Sequence, residues 1–186
     1  EVGRVNVAAR ATGVANRAAL GKVLELSTRP GRPPFTLFFL DLNDFKPLND
    51  RYGHDDGDRA LIEVSGRLKG CLRPDDLVVR LGGDEFVIVA RNVTNDAARD
   101  TLRKKLEIAV MAPLRTLRNP SPDAEVRLGV AIGSACWPDD AAGPEGLLKC
   151  ADLRMYDNKR AAKRASAITR QAADTAAGNE AGAHPR

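Results

Sequence analysis

The segment Leu77-Val78-Val79-Arg80-Leu81-Gly82-Gly83-Asp84-Glu85-Phe86-Val87-Ile88-Val89-Ala90 reads as two apolar strands, 77–81 and 85–90, around a glycine-led turn. So short a connection signals a hairpin, because the tight turns between strands need positive φ. Upstream, residues 58–72 place Leu61, Val64, Leu68 and Leu72 at helical spacing, and Pro74 stops the next turn. Before that helix, 35–42 is a buried strand by its apolar and aromatic content. A short helix over 16–27 precedes it, broken by Arg29-Pro30-Gly31-Arg32-Pro33-Pro34. Downstream come a helix over 95–111, a strand over 126–136 and a helix opened by Pro144 and running to Lys163.

Leaving out the first helix, the order is strand, helix, strand, strand, helix, strand. That order predicts an α+β fold: a two-layer, ferredoxin-like or palm-type β-α-β-β-α-β sheet with flanking helices. The helical crossover makes strands one and two run the same way, and the hairpin returns strand three between them. The end of strand one and the start of strand three then lie side by side. Asp41 holds the first place and Asp84 the second, so two carboxylates distant in sequence are predicted to meet.

The 186 residues suffice for one domain. We expect a linker from a missing upstream region over 1–11, the domain over 12–165 and a disordered tail over 166–186, where periodic apolar residues cease. The chain starts at Glu1 rather than Met, which suggests a piece of a longer protein. No uncharged apolar run reaches the roughly 18 residues of a membrane span. Cys71, Cys136 and Cys150 lie far apart without metal-ligand spacing, so reduced, core-filling thiols and a cytoplasmic location are expected, with membrane tethering of a longer parent left open. A net charge of +4 suits an anionic ligand, while 4% aromatic residues supply a poor stacking platform for nucleic acid.

Converging carboxylates at a sheet end suit a hard cation such as Mg²⁺, which takes oxygen ligands and can hold a nucleoside triphosphate. By spacing alone, acidic residues at strand ends and turns are more often simply solvated. Two longer blocks shift that balance. Leu81-Gly82-Gly83-Asp84-Glu85-Phe86 carries the signature of the GGDEF family, and Asp41-Leu42-Asn43-Asp44-Phe45-Lys46-Pro47-Leu48-Asn49-Asp50-Arg51-Tyr52-Gly53-His54-Asp55-Asp56-Gly57-Asp58 is similar to that family's second block. Ala151-Asp152, Met155-Tyr156 and Lys159 resemble its closing helix.

The resemblance, which runs from about Gly13 to Arg164, implies a diguanylate cyclase: a metal-dependent nucleotidyltransferase of bacterial signalling that condenses two GTP into cyclic di-GMP. It implies Asp41, Asp84 and the Leu42 carbonyl as ligands of Mg²⁺, with Mn²⁺ an alternative, and Glu85 as a further ligand or as acceptor of the 3′-hydroxyl proton. Main-chain N–H groups around Asp44, Phe45 and Lys46 would hold the phosphates. Gly82 and Gly83 would let the substrate approach the hairpin. Asn49 and Asp58 would read guanine, Asp58 having helix capping as its alternative. Asp152, Tyr156, Lys159 and Lys163 are spaced four, three and four apart and share a helix face; Lys159 and Lys163 would contact phosphate.

Each such domain holds one GTP, so the resemblance also implies a transient homodimer, an upstream sensory domain and no nucleic acid. Arg73-Pro74-Asp75-Asp76 matches the family's Arg-x-x-Asp inhibitory site, with five residues before Gly82, and implies allosteric product inhibition through Arg73 and Asp76. A surface ion pair between those two is the alternative. Some positions depart from the family: Ala9 and Ala11 replace an Asp and a Leu, Asn43 stands for an Asp, and Lys163 for an Arg that would offer a bidentate fork. The competing function is a catalytically weak domain that serves as a receptor for cyclic di-GMP or GTP.

Overall fold

Strand β1 (Phe35–Asn43) is buried along nearly its whole length, as a continuous apolar run demands when both faces of a sheet are covered. The computed structural model describes residues 14–118 and 125–180, with side chains through Arg164. Strands β2 (Leu77–Gly82), β3 (Glu85–Arg91) and β4 (Gly129–Trp137) join β1 in one sheet of order β2-β3-β1-β4, all neighbours antiparallel. β3 therefore lies between β1 and β2, as the hairpin reading requires.

The period-two alternation of strands assigns each side chain to a layer. Phe38, Leu40, Leu42, Phe86 and Ile88 face one core, which is closed by helices α2 (Phe45–Tyr52), α3 (His54–Cys71) and α4 (Asp96–Met111). Phe35, Leu37, Phe39, Val87 and Val89 face the other, closed by α1 (Arg17–Ser27) and α5 (Pro144–Glu180). Burying each of these large side chains contributes about 1.5–3 kcal/mol. The flanking helices thus turn the expected two-layer frame into a sheet covered on both sides. Asn16 and Asn95 cap α1 and α4, accepting hydrogen bonds from the N–H of Ala19 at 3.0 Å and of Ala98 at 2.8 Å.

Three local expectations change. First, α2 has no counterpart in the sequence reading. It follows a left-handed Asp44 at φ 63° and tolerates Pro47 because the first turn of a helix needs no N–H donor there. Second, α3 begins at His54 rather than Asp58, after Gly53 at φ 85°. Asp58 is therefore inside the helix, and capping is not its role. Third, α5 continues past Lys163, where the sequence reading ended it, to Glu180, through alanine-rich sequence that favours helix. Residues 1–13, which include the departures at Ala9 and Ala11, and 181–186 lie outside the described residues. No helix among the described residues is long and apolar enough to cross a membrane. The three cysteines are free thiols.

Arg154 of α5 grips Asp140 with two hydrogen bonds of 2.7 Å, and the Cys136 N–H donates to the same carboxylate at 2.7 Å. The Arg154 hydrogen bonds hold the Asp140 carboxyl below the ordinary carboxylate range. A depressed carboxyl stabilises the fold above its unfolded-state pKa of about 4, and that contribution fades as pH falls through the lower folded-state value. Asp140→Asn should therefore cost about 1–2 kcal/mol at neutral pH, measured by urea unfolding. The gap to wild type should close as pH falls through that lower folded-state value. A gap that persists in acid would show that charge is not its source.

Candidate active site

The register of the sheet sets Asp41 of β1 opposite Glu85 of β3, and the Leu42 N–H donates to the Asp84 carbonyl at 3.1 Å. Paired positions point to the same face, so Asp41 and Glu85 both emerge beneath α5. From α5, Lys159 donates to Asp41 Oδ1 at 2.5 Å. Asp41, Asp84, Glu85 and Lys159, expected as one group, are brought together.

Their electrostatics follow from crowding. Burial lifts the Asp84 carboxyl above its usual range; neighbouring Asp41 adds to the lift, while Lys159 and Arg80 oppose it. Burial likewise raises Glu85, with Asp41, Asp84 and Asp152 pushing the same way and Arg17 against. Like charges this close favour a bound cation, and Lys159 is the cation nearest Asp41. Among the described residues no three His, Cys, Asp or Glu side chains form a ready metal cage. Two carboxylates with open positions still suit Mg²⁺, which keeps waters and substrate phosphates in its shell.

A cleft of about 500 Å³ opens beside this group, lined by Leu42, Asn43, Asp44, Phe45, Lys46, Pro47, Asp84, Lys159, Ala162 and Lys163. Its floor is the start of α2. The N–H groups of Phe45 and Lys46 stand in the first turn, where no intrahelical acceptor exists, and the helix dipole adds partial positive charge there. Lys163, the lysine in an arginine's place, lines the same cleft. Above Gly82 and Gly83 a Cβ would meet nothing within 4 Å, so the hairpin turn offers open space. Gly83 itself sits at φ 52°, where a side chain is strained.

The pair expected to read guanine, Asn49 and Asp58, is arranged differently. Asn49 Oδ1 is buried without a hydrogen-bond partner and packs on Gly57, where a Cβ would come within 1.8 Å of it. Asp58 is exposed on α3, one residue beyond Gly57. Neither residue lines the cleft at the start of α2. Arg73 and Asp76 line a separate cleft of about 430 Å³ with Lys69. Asp76 accepts from the main-chain N–H of Arg73 at 2.9 Å and of Arg91 at 2.8 Å, so it bonds to backbone rather than in the ion pair that was the alternative reading. Asn43 Oδ1 is also buried and unpartnered, beside Gly129.

The sequence reading missed Arg80, which is buried in β2 with its guanidinium turned toward the hairpin. An arginine inside an apolar strand was the available signal, because unpaired charges are seldom buried.

A sheet of this order, with carboxylates ending its central strands beside a helix start, has the layout of a palm-type domain. The profile described as diguanylate cyclase, GGDEF domain, matches residues 9–165, and the chain belongs to that family. Diguanylate cyclase TpbB of Pseudomonas aeruginosa is 35% identical over 155 residues, covering 82% of this chain and 35% of the relative. The crystal structure of the GGDEF domain of that protein (PA1120, YfiN or TpbB) superposes with a TM-score of 0.72 at 35% identity, covering 80% of this chain and 92% of that one. The bifunctional diguanylate cyclase/cyclic di-GMP phosphodiesterase MucR of P. aeruginosa is 40% identical over 126 residues, 67% of this chain and 17% of the relative. The chain thus spans about a third or less of these curated relatives.

Proposed function

We propose that the chain is the catalytic domain of a diguanylate cyclase, condensing two GTP into cyclic di-GMP and two pyrophosphates. The observation that carries this reading is the meeting of Asp41, Asp84, Glu85 and Lys159 at the mouth of the cleft floored by α2. In each half-reaction a 3′-oxygen of one GTP bonds to the α-phosphorus of the other, and the bond from that phosphorus to the bridging oxygen of pyrophosphate breaks. Asp41, Asp84 and the Leu42 carbonyl would hold Mg²⁺ or Mn²⁺, with Glu85 adjoining. That ion would neutralise phosphate charge and lower the pKa of the attacking hydroxyl.

Glu85, whose carboxyl is raised by burial, would take the 3′-hydroxyl proton. Phe45 and Lys46 N–H groups, Lys159 and Lys163 would bind the phosphates, with the backbone of Asp44 shaping the loop. Asn49 and Asp58 would accept and donate at guanine. One such cleft serves one GTP, so two copies must face each other as a transient homodimer, under an upstream sensory domain.

Incubating the chain with GTP and Mg²⁺ at high protein concentration should yield cyclic di-GMP, detected by chromatography. GTP bound but unconverted would instead identify a receptor. The Arg73 cleft would bind the product, Arg73 contacting its phosphate or guanine edge. Arg73→Ala should then raise the product yield severalfold by relieving inhibition, alongside weakened cyclic di-GMP binding by calorimetry. Unchanged yield and unchanged binding would remove the inhibitory site.

A further inference from the structure

Arg80 is 8% exposed, although a buried guanidinium is costly to desolvate unless it is paired. Its compensation comes from the hairpin and its neighbour helix. Nε donates to the Gly83 carbonyl at 2.9 Å, closing the turn that carries Asp84. The same charge acts on Asp84 and on Asp58 of α3. On its main-chain side, the Arg80 N–H donates to the Ala15 carbonyl at 3.2 Å, in the short stretch where Ala15 bridges Val79 in parallel. One residue therefore touches the segment entering the domain and the catalytic turn, and its charge acts on Asp58 of the neighbouring helix.

A turn built on Gly82-Gly83 has little stiffness of its own, since glycine restricts neither φ nor ψ. Something outside the turn must hold it. We propose that Arg80 is a positioning residue for the cyclase reaction, fixing the turn that bears Asp84 relative to the helix that bears Asp58. The metal end and the guanine end of one GTP are thereby kept in a single geometry. The inference rests on the reading of Asp84 and Asp58 given above. A planar guanidinium offers Nε to the Gly83 carbonyl while spreading its charge toward the neighbouring carboxylates; an ammonium is a point charge without that directed N–H.

The test measures kcat and KM for GTP and for inosine triphosphate, which lacks the 2-amino group that Asp58 would accept from, together with Tm. Arg80→Met should lower kcat per folded molecule by about 10²-fold, the loss expected when a reacting group shifts by about 1 Å. Its preference for GTP over inosine triphosphate in kcat/KM should shrink. Arg80→Lys keeps the charge and loses the directed N–H, so it should retain the preference and lose about tenfold in kcat. A fall in Tm with kcat and preference unchanged would make Arg80 a structural residue and overturn the proposal. If the Met variant does not fold, a Lys variant with wild-type kcat overturns it as well. Asp84→Asn, run alongside, separates the failures. Full activity there overturns the site reading and this inference with it, whereas its loss beside an unaffected Arg80→Met overturns this inference alone.

Discussion

Asp84→Asn should reduce cyclic di-GMP formation by about 10²–10³-fold, the loss typical when one preorganised charge-stabilising group leaves an active site. Asn keeps the shape of the turn, so only the charge is removed. That charge is costly in the free protein: burial and the nearby Asp41 both lift the Asp84 carboxyl. Its neutralisation also relieves Glu85, which Asp84 pushes upward. The metal-free variant should consequently be no less stable than wild type, and thermal unfolding should show an unchanged or higher Tm. Activity lost with stability kept is the signature of a site that tolerates electrostatic strain for function. A variant that loses both would point to a structural aspartate, and one that keeps both would remove Asp84 from the chemistry.

Gly133→Ala should be the most damaging single-methyl change in the molecule's second core. Gly133 lies in β4 opposite Phe39, under α5. A Cβ there would fall 2.1 Å from both the Ala151 carbonyl oxygen and the Met155 nitrogen, and 2.8 Å from the Arg154 carbonyl carbon. Those atoms are helix backbone and cannot step aside as a side-chain tip could. The whole of α5 must lift, taking Leu147, Ala151 and Met155 out of contact with the sheet. Overpacking alone costs about 1–3 kcal/mol, and a rigid backbone obstacle belongs at or above the top of that range. Urea unfolding should register the loss, and surviving folded protein should have a weakened active site, because α5 carries Lys159 to Asp41. A shift under about 1 kcal/mol would mean that the helix is not seated as closely as described.

The approach of Asp41 to Asp84 was legible because alternation, a glycine turn and one helical crossover leave a single way to order three strands. Helix α2 was not. Its eight residues include Pro47 and follow a non-glycine residue in the left-handed region, so local pattern argued against it. The start of α3 was placed four residues late because Asp58 resembles a cap, whereas Gly53 ends one helix and begins the next. The end of α5 was misjudged for the opposite reason: alanine favours helix without any apolar stripe to announce it. Asp76 was matched with Arg73 through the family's Arg-x-x-Asp pattern and its register with the hairpin; that its carboxylate accepts from the N–H groups of residues 73 and 91 was not legible, because only a folded chain brings those together.

Chain order and composition by themselves determined the strands, their sequence around the hairpin and the acidic pair at its base, because those depend on period-two burial and on glycine's freedom at positive φ. Tertiary structure alone decided which cation sits on Asp41, why Gly133 can carry no side chain, and that Arg80 lies buried against the Gly83 carbonyl. These are contacts between residues remote in sequence. Their energies depend on distance and on exclusion of water, neither of which a one-dimensional pattern records.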